Sequence, residues 1–263
     1  MHVFDQAVAL RLRDDRGQQY VFEAELDREL WVADTGPWGG YLASLFTAAI
    51  SQRLPELPLV SLTVHFLRRL QPGPAQIEVD VEFLGSRVGQ ASARIVQGER
   101  AGAIAMATLG QNPQPDYVSD FERPNAPPPA EVRRRAESSH PYMQHLDIRP
   151  TILVRPWSGD NEGTLAGWLR MLEPRPLDLP LLAALPDTWM PGTWARLSEP
   201  AYKVTLNLTI HFRSLPAAND DGWWFVRIRT RHIERGFADE DCEIWGSDGR
   251  LLAQARKLVL LAR

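Results

Sequence analysis

Leu62-Thr63-Val64-His65-Phe66 occurs twice in this chain of 263 residues. Its echo is Leu208-Thr209-Ile210-His211-Phe212, at an offset of 146 residues, with one exchange of Val for Ile. Apolar and polar residues alternate strictly in both copies, the period of a strand with one buried face. Leu62, Val64 and Phe66 look one way, Thr63 and His65 the other. The echo runs on beyond the pentad. Val79-Asp80-Val81-Glu82 and Val226-Arg227-Ile228-Arg229 alternate at an offset of 147, and Gly89 falls on Gly236 at the same spacing. Each half then closes in another strand-like run, Ala103 to Leu109 and Leu251 to Leu260. The pattern predicts two copies of one unit and not a solenoid, whose repeats are far shorter.

Composition narrows the function classes. With 44% hydrophobic and 24% charged residues, the chain reads as an ordinary soluble globular protein. A formal net charge of −4 and a single short basic run, Arg133-Arg134-Arg135, argue against a nucleic-acid partner. One cysteine, Cys242, excludes an internal disulfide framework and a multi-cysteine metal site. No secretory pattern follows Met1, and no apolar run is long enough to span a membrane, so a cytoplasmic location is expected. No metal-ligand spacing and no Gly-rich dinucleotide fingerprint is present, so neither a metal nor a cofactor is expected.

Taken in order, residues 1–37 fit strands, notably Tyr20 to Leu26, leading to a turn at Asp34-Thr35-Gly36-Pro37. Trp38-Gly39-Gly40 then opens the run Tyr41 to Leu54, which is apolar nearly all round and holds no carboxylate. Such a run predicts a buried core helix that stops before Pro55. Gly39 and Gly40 stand at its mouth, where backbone N–H groups lack helical partners. They either attract an anionic substrate oxygen or let the helix pack closely on a sheet. A meander of strands follows through Gln76–Leu84, Gln90–Val96 and Gly102–Leu109. Eight prolines fall between 112 and 150, which predicts an extended surface connector, with Tyr117, Phe121, Tyr142 and Met143 as its anchors. The second unit repeats the plan, with Leu177 to Leu185 as its short helix and Pro186-Asp187 as its stop. The organisation expected is therefore a first unit over 1–111, a connector over 112–147 and a second unit over 148–263.

A buried helix wrapped by an antiparallel sheet, twice over, resembles the acyl-CoA thioesterase II family of double hot-dog hydrolases. The resemblance rests on Gly39-Gly40 at the helix entry, His65-Phe66 with Arg68, and Gly249-Arg250-Leu251-Leu252-Ala253 near the end. It implies an α+β double hot-dog fold with two antiparallel sheets, each around a buried helix and joined by the Pro-rich connector. It also implies hydrolysis of an acyl-CoA thioester by water without a cofactor, a role in lipid metabolism, and assembly into a homo-oligomer.

Thioester hydrolysis needs a water aimed at the carbonyl, a group to deprotonate it, and donors for the oxyanion. In the family an Asp, a Thr and a Gln hold that water. Residue by residue, the resemblance places the Asp at Asp187, within Leu181-Leu182-Ala183-Ala184-Leu185-Pro186-Asp187, and the Thr at Thr205. Gly39 and Gly40 are the substrate-binding candidates. The residues themselves leave a turn or cap role open for Asp187. Period 2 puts Thr205 on one face with Asn207, Thr209 and His211. At the Gln position the chain departs from the family, for spacing lands on Lys257. Gln254 is three residues away and faces the other side of the strand. An ammonium only donates, where a glutamine also accepts. Lys257 thus leaves two readings, a hydrolase with an altered site and a non-catalytic protein that binds acyl-CoA. His65 and His211 have no serine-nucleophile motif beside them and read as structural, and Cys242 as an inert strand residue. The nine tryptophans suit an acyl tunnel and an ordinary core equally well.

Overall fold

The two echo strands lie side by side. Leu59–Phe66 and Tyr202–Phe212 pair antiparallel with Thr63 opposite Thr209, and the two hydroxyl oxygens are 3.1 Å apart. The computed structural model describes residues 1–32, 36–111, 118–135, 140–215 and 222–262. Asp34 and Thr35 of the expected turn, and Tyr117 of the connector, lie outside the described residues.

The first half runs α1 (Val3–Ala7), β1 (Arg11–Asp15), β2 (Gln19–Leu26), a short pair β3 (Trp31–Val32) and β4 (Gly36–Pro37), and α2 (Gly39–Arg53). It continues through β5 (Leu59–Phe66), β6 (Gly73–Leu84), β7 (Val88–Gln97) and β8 (Arg100–Gly110). The second half runs β9 (Leu146–Ile152), β10 (Thr164–Met171), α3 (Leu179–Ala184), α4 (Gly192–Arg196) and β11 (Tyr202–Phe212). It closes with β12 (Trp224–Arg229), β13 (Ile233–Glu234), β14 (Phe237–Gly246) and β15 (Leu251–Ala262).

Outward from the β5–β11 junction come β8, β7, β6 and β2 on one side and β15, β14, β12 and β10 on the other, all antiparallel. The repeat read from the sequence is thus a repeat of topology. The expectation of two sheets is corrected by the same junction. Because β5 and β11 pair through five residues on each strand, the halves share one sheet of thirteen strands. Joining them removes two exposed edges that would otherwise invite pairing with other chains.

The run Tyr41 to Leu54 is helical, as its pattern predicts. Tyr41, Leu45, Phe46 and Ile50 of α2 are fully buried, each worth about 1.5–3 kcal/mol of burial. Ser44 and Thr47 bond back along the helix, Ser44 to the Gly40 carbonyl and Thr47 to the Ala43 carbonyl, each at 2.9 Å, and Ser44 also lies 2.7 Å from the Pro180 carbonyl oxygen of the second half. The second helix is shorter than expected. α3 is capped by Asp178, whose side chain accepts from Leu181 N at 3.0 Å, and it tightens after Ala184 into a 3-10 turn, Leu185–Asp187. Pro186 in that turn carries no N–H to continue an α-helix. At the start of the chain, a helix (α1) stands where strands were expected, with His2 Nδ1 accepting from Phe4 N.

Residues 118–135 of the connector lie on the surface and are held there by specific contacts. They cover the outer face of the second half's sheet, where Trp168, Phe225 and Trp245 form a separate buried cluster. Trp168 Nε1 donates to the Pro127 carbonyl at 2.8 Å, Trp245 Nε1 to the Phe121 carbonyl at 3.3 Å, and the Arg123 guanidinium stands 5.0 Å from the Trp168 ring. Prolines have free carbonyls and no N–H, so a proline-rich strap can accept from indoles without competing for a place in the sheet. Several tryptophans therefore serve this strap and not a tunnel. Among the described residues no helix is long and apolar enough to cross a membrane.

Candidate active site

Asp187 ends the 3-10 turn, and three contacts fix it. Its carbonyl accepts from Trp38 Nε1 at 2.8 Å, its Oδ2 accepts from the Gly40 N–H at 3.2 Å, and its Oδ1 accepts from Lys257 Nζ at 3.2 Å. Gly40 is the second residue of α2, and Trp38, its N-cap, offers no side-chain bond. A carboxylate from the other half of the chain therefore does the work of an N-cap, where an anion is favoured by both the unpartnered N–H groups and the helix dipole. The capping role, one of the two alternatives the sequence leaves open, is thus filled, and it leaves the carboxylate on the cleft.

Close approach explains the two glycines. A Cβ on Gly39 would stand 2.8 Å from Asp187 Oδ2, and one on Gly40 would stand 2.5 Å from the Ala184 carbonyl oxygen and 2.7 Å from the Trp38 ring. The expectation that both N–H groups await a substrate oxygen is modified, because Gly40's is taken by Asp187. Gly39 lines the cleft beside it.

Lys257 sits on the inward face of β15 with Ala253, Ala255 and Val259, and it is 1% exposed. Its cross-strand neighbour on β14 is Glu240, also fully buried, whose Oε2 lies 3.2 Å from Lys257 Nζ. The same oxygen accepts from Lys203 Nζ at 2.7 Å, while Oε1 accepts from the N–H and hydroxyl of Thr193, each at 3.1 Å. Asp187, Lys257, Glu240 and Lys203 form an alternating chain of charges that sums to zero. Burial opposes ionising Glu240, yet Lys203 and Lys257 together hold its carboxyl well below the usual range. Burial likewise disfavours the Lys257 ammonium, but Glu240 and Asp187 outweigh it and raise its pKa. Lys203 goes the other way: burial, with Lys257 adding repulsion, lowers its pKa in spite of Glu240.

Thr205 reaches the same place by a route that simple alternation misses. A bulge between Thr205 and Asn207 sets Thr205 opposite Val259 and Asn207 opposite Leu258. Val259 is buried and Leu258 exposed, so the bulge turns Thr205 inward, away from the face of Thr209 and His211. The expected shared face is corrected accordingly. Lys203, two residues before Thr205, faces inward with it. Gln254 lies on the outer side, accepting from Arg213 Nε at 3.0 Å, as its spacing requires. His65 and His211 are exposed on that outer side, and Cys242 is buried with its thiol pKa pushed up, chiefly by burial.

Asp187, Gly39, Thr205 and Lys203 open on one cleft of about 660 Å³. Trp38, Trp189, Met190 and Trp194 supply apolar wall, and Tyr142 stacks on Trp38 with ring centroids 4.5 Å apart. Lys257 is behind the wall, touching the cleft only through Asp187. Glu240 and Lys203 escaped the sequence reading. Their signal was a lone acid on the apolar inward face Ala238, Glu240, Cys242, Ile244, next in register to a lone base on β15. Among the described residues no cluster of His, Cys, Asp or Glu could hold a metal ion.

A doubled unit of buried helix and antiparallel sheet, with a carboxylate at the helix mouth facing a cleft, is the double hot-dog architecture. A hot-dog protein of Alicyclobacillus acidocaldarius superposes with a TM-score of 0.89 at 28% identity, covering 100% of this chain and 99% of the other. The chain belongs to the acyl-CoA thioesterase family: the family's N-terminal domain matches residues 28–110 and its C-terminal domain residues 119–261. An acyl-CoA thioesterase II of Mycobacterium marinum shares the fold, with a TM-score of 0.77 at 18% identity over 98% of each chain. An uncharacterized protein of Mycobacterium tuberculosis is 26% identical over 98% of both sequences.

Proposed function

We propose that this protein hydrolyses acyl-CoA thioesters, with Asp187 as the base that activates water. One observation carries the reading: the Asp187 carboxylate is anchored at Gly40 and Lys257 while its side chain, 17% exposed, opens on a mostly apolar cleft. An ionised carboxylate has about four acceptor sites, and the two anchors leave room for a water. Water held between Asp187 and the Thr205 hydroxyl attacks the thioester carbon, its proton passing to Asp187. The Gly39 N–H at the positive end of α2 stabilises the oxyanion. The carbon–sulfur bond then breaks and the thiolate leaves, taking up the proton, so the products are a carboxylic acid and CoA. Lys257 and Glu240 position the base and do not touch substrate.

Free-thiol release from a panel of acyl-CoAs, short to long and straight to aromatic, tests this, with Asp187→Ala alongside. Turnover that disappears in the variant supports the proposal, and turnover that survives removes Asp187 from it. The second reading, a protein that binds acyl-CoA without hydrolysing it, is favoured by Lys257 in the family's Gln position. Binding with no turnover on any substrate would establish it.

A further inference from the structure

Internal pairing neutralises the buried charges of the site and leaves its rim positive. Arg68, Arg69 and Arg135 line the cleft, and Asp187 is its only carboxylate among the described residues. Asp187 is matched by Lys257 and Lys203 by Glu240, so three guanidinium charges remain uncompensated at the mouth of a chain whose net charge is −4. Nearby arginines are used differently. Arg134, beside Arg135 in sequence, joins Arg149 and Arg170 around the buried Asp147. Among the described residues no carboxylate pairs with any of the three rim arginines. Their backbone is nevertheless anchored: Leu67 and Arg68 N–H groups both donate to the Gly102 carbonyl, at 2.9 and 3.0 Å, and Arg135 N donates to Ile148 O at 2.8 Å.

We infer that Arg68, Arg69 and Arg135 form the binding site for the phosphate groups of the CoA carrier, an assignment that rests on the hydrolase reading above. A guanidinium fork matches phosphate oxygens in pairs, and several unpaired forks around one opening suit a ligand with several phosphates. The low dielectric of the mostly apolar cleft strengthens that attraction relative to open water. All three line one cleft and are not spread over a face, which favours a small nucleotide carrier over the acidic surface of a carrier protein. Arg68, part of the family-like motif around His65-Phe66, thereby acquires a role that the hydrolytic step does not give it.

Calorimetric titration of the intact chain with CoA and with pantetheine tests the assignment. Neither ligand holds a thioester, so the readout is independent of turnover. The CoA dissociation constant is expected to rise about tenfold for each arginine removed, in Arg69→Ala and in Arg69→Ala/Arg135→Ala. The pantetheine constant should move less than about twofold, and Arg69→Glu should weaken CoA further, with the loss growing at low salt. Equal loss of CoA and pantetheine, or no loss of CoA, would overturn the inference. So would a phosphopantetheine-bearing carrier protein whose binding depends on these arginines while that of CoA does not. Arginine-dependent CoA binding with no hydrolysis of any acyl-CoA would leave the rim standing and sink the hydrolase.

Discussion

Asp187 and Lys257 are 70 residues apart in sequence and 3.2 Å apart across the wall of the cleft. The contact joins the short second helix to the last strand, and through Gly40 it reaches the long first helix as well. On the proposed mechanism the base is held by both halves of the chain and is positioned only when the whole sheet is assembled. Asp187→Asn preserves the shape and the Gly40 bond but cannot take a proton. It should lower kcat/KM for acyl-CoA by about 10²–10⁴-fold, the usual worth of a general base, at temperatures where it stays folded, and its melting temperature should fall because the buried Lys257 keeps only Glu240 as a charged partner. Thiol-release kinetics together with a thermal melt measure both. A variant that hydrolyses at the wild-type rate would exclude Asp187 from proton transfer.

Lys257 and Glu240 should behave as one unit. Glutamine ends one atom short of the lysine nitrogen, so Lys257→Gln releases Asp187 Oδ1 and strips Glu240 of one of its two ammonium partners. Breaking a buried pair from one side costs about 3–5 kcal/mol, and Glu240→Gln, which strips Lys203 of its carboxylate and leaves Lys257 only Asp187, should cost a similar amount. The double variant restores neutrality and should cost clearly less than the sum, by about 1–3 kcal/mol of coupling. Hydrolysis by Lys257→Gln should fall by about tenfold or more as the base loses an anchor. A denaturation cycle over the four proteins checks the coupling, and additive losses would show that the two residues act separately. Equal rates for Lys257→Gln and wild type would remove the lysine from the chemistry.

The echo of Leu62–Phe66 in Leu208–Phe212 made the doubled topology legible, because alternation survives translation into strands without knowledge of partners. That the echoes pair with each other was not legible, since register between distant strands is a tertiary matter. A helix stop leaves a recognisable pattern, which set Asp187 at the end of the second helix, while its place in a site came from the resemblance. Thr205, named through the family resemblance, was set on the wrong face, for a bulge inserts one residue and leaves no mark in the alternation. Lys257 was reached by the family's spacing, yet its partner Glu240 became visible only once β14 and β15 were in register. The tryptophans left their two readings open for a related reason: an outer-face cluster under a proline strap and a cleft wall have the same composition.

Gly39 and Gly40 should fail in different ways when given a methyl group. At Gly39 the added carbon meets Asp187 Oδ2 at 2.8 Å and the Phe66 ring at 3.2 Å, so the carboxylate must shift. Displacing a base by about 1 Å costs on the order of 10²-fold in rate, and Gly39→Ala should show that loss with little change in stability. At Gly40 the obstacle includes the Ala184 backbone, which cannot move alone, and Gly40→Ala should destabilise the fold by about 1–3 kcal/mol. Paired kinetics and melts separate the two, and an active Gly39→Ala would show that the carboxylate has slack.

Acid should dissolve the Glu240 network in a defined direction. Lys203 and Lys257 hold the folded carboxyl well below its ordinary range against the opposing effect of burial. A depressed folded pKa means that the unfolded chain binds the proton more readily. Glu240 therefore contributes its full stabilisation above the unfolded value, about 4.3, and loses it progressively as pH falls below that. The gap in melting temperature between wild type and Glu240→Gln should be constant from about pH 7 to pH 5.5 and should narrow below about pH 4.3. A gap that widens in acid would contradict the ion-pair account.

The strap over the second half offers a test away from the chemistry. Trp168 holds it by an indole N–H on the Pro127 carbonyl at 2.8 Å and by its ring beneath the Arg123 guanidinium. Trp168→Phe keeps an aromatic ring in the outer cluster with Phe225 and Trp245 but deletes the donor. The loss should be about 1 kcal/mol of stability, the net worth of one hydrogen bond. Local consequences should be larger than the global one, because the strap has no ladder of backbone bonds to fall back on. Limited proteolysis should therefore cut the variant within 118–135 faster than wild type, at a temperature where both remain folded and where acyl-CoA hydrolysis is unchanged. Equal cleavage rates would mean that the strap is held by the packing of Ala126 and Val132 and not by the indole.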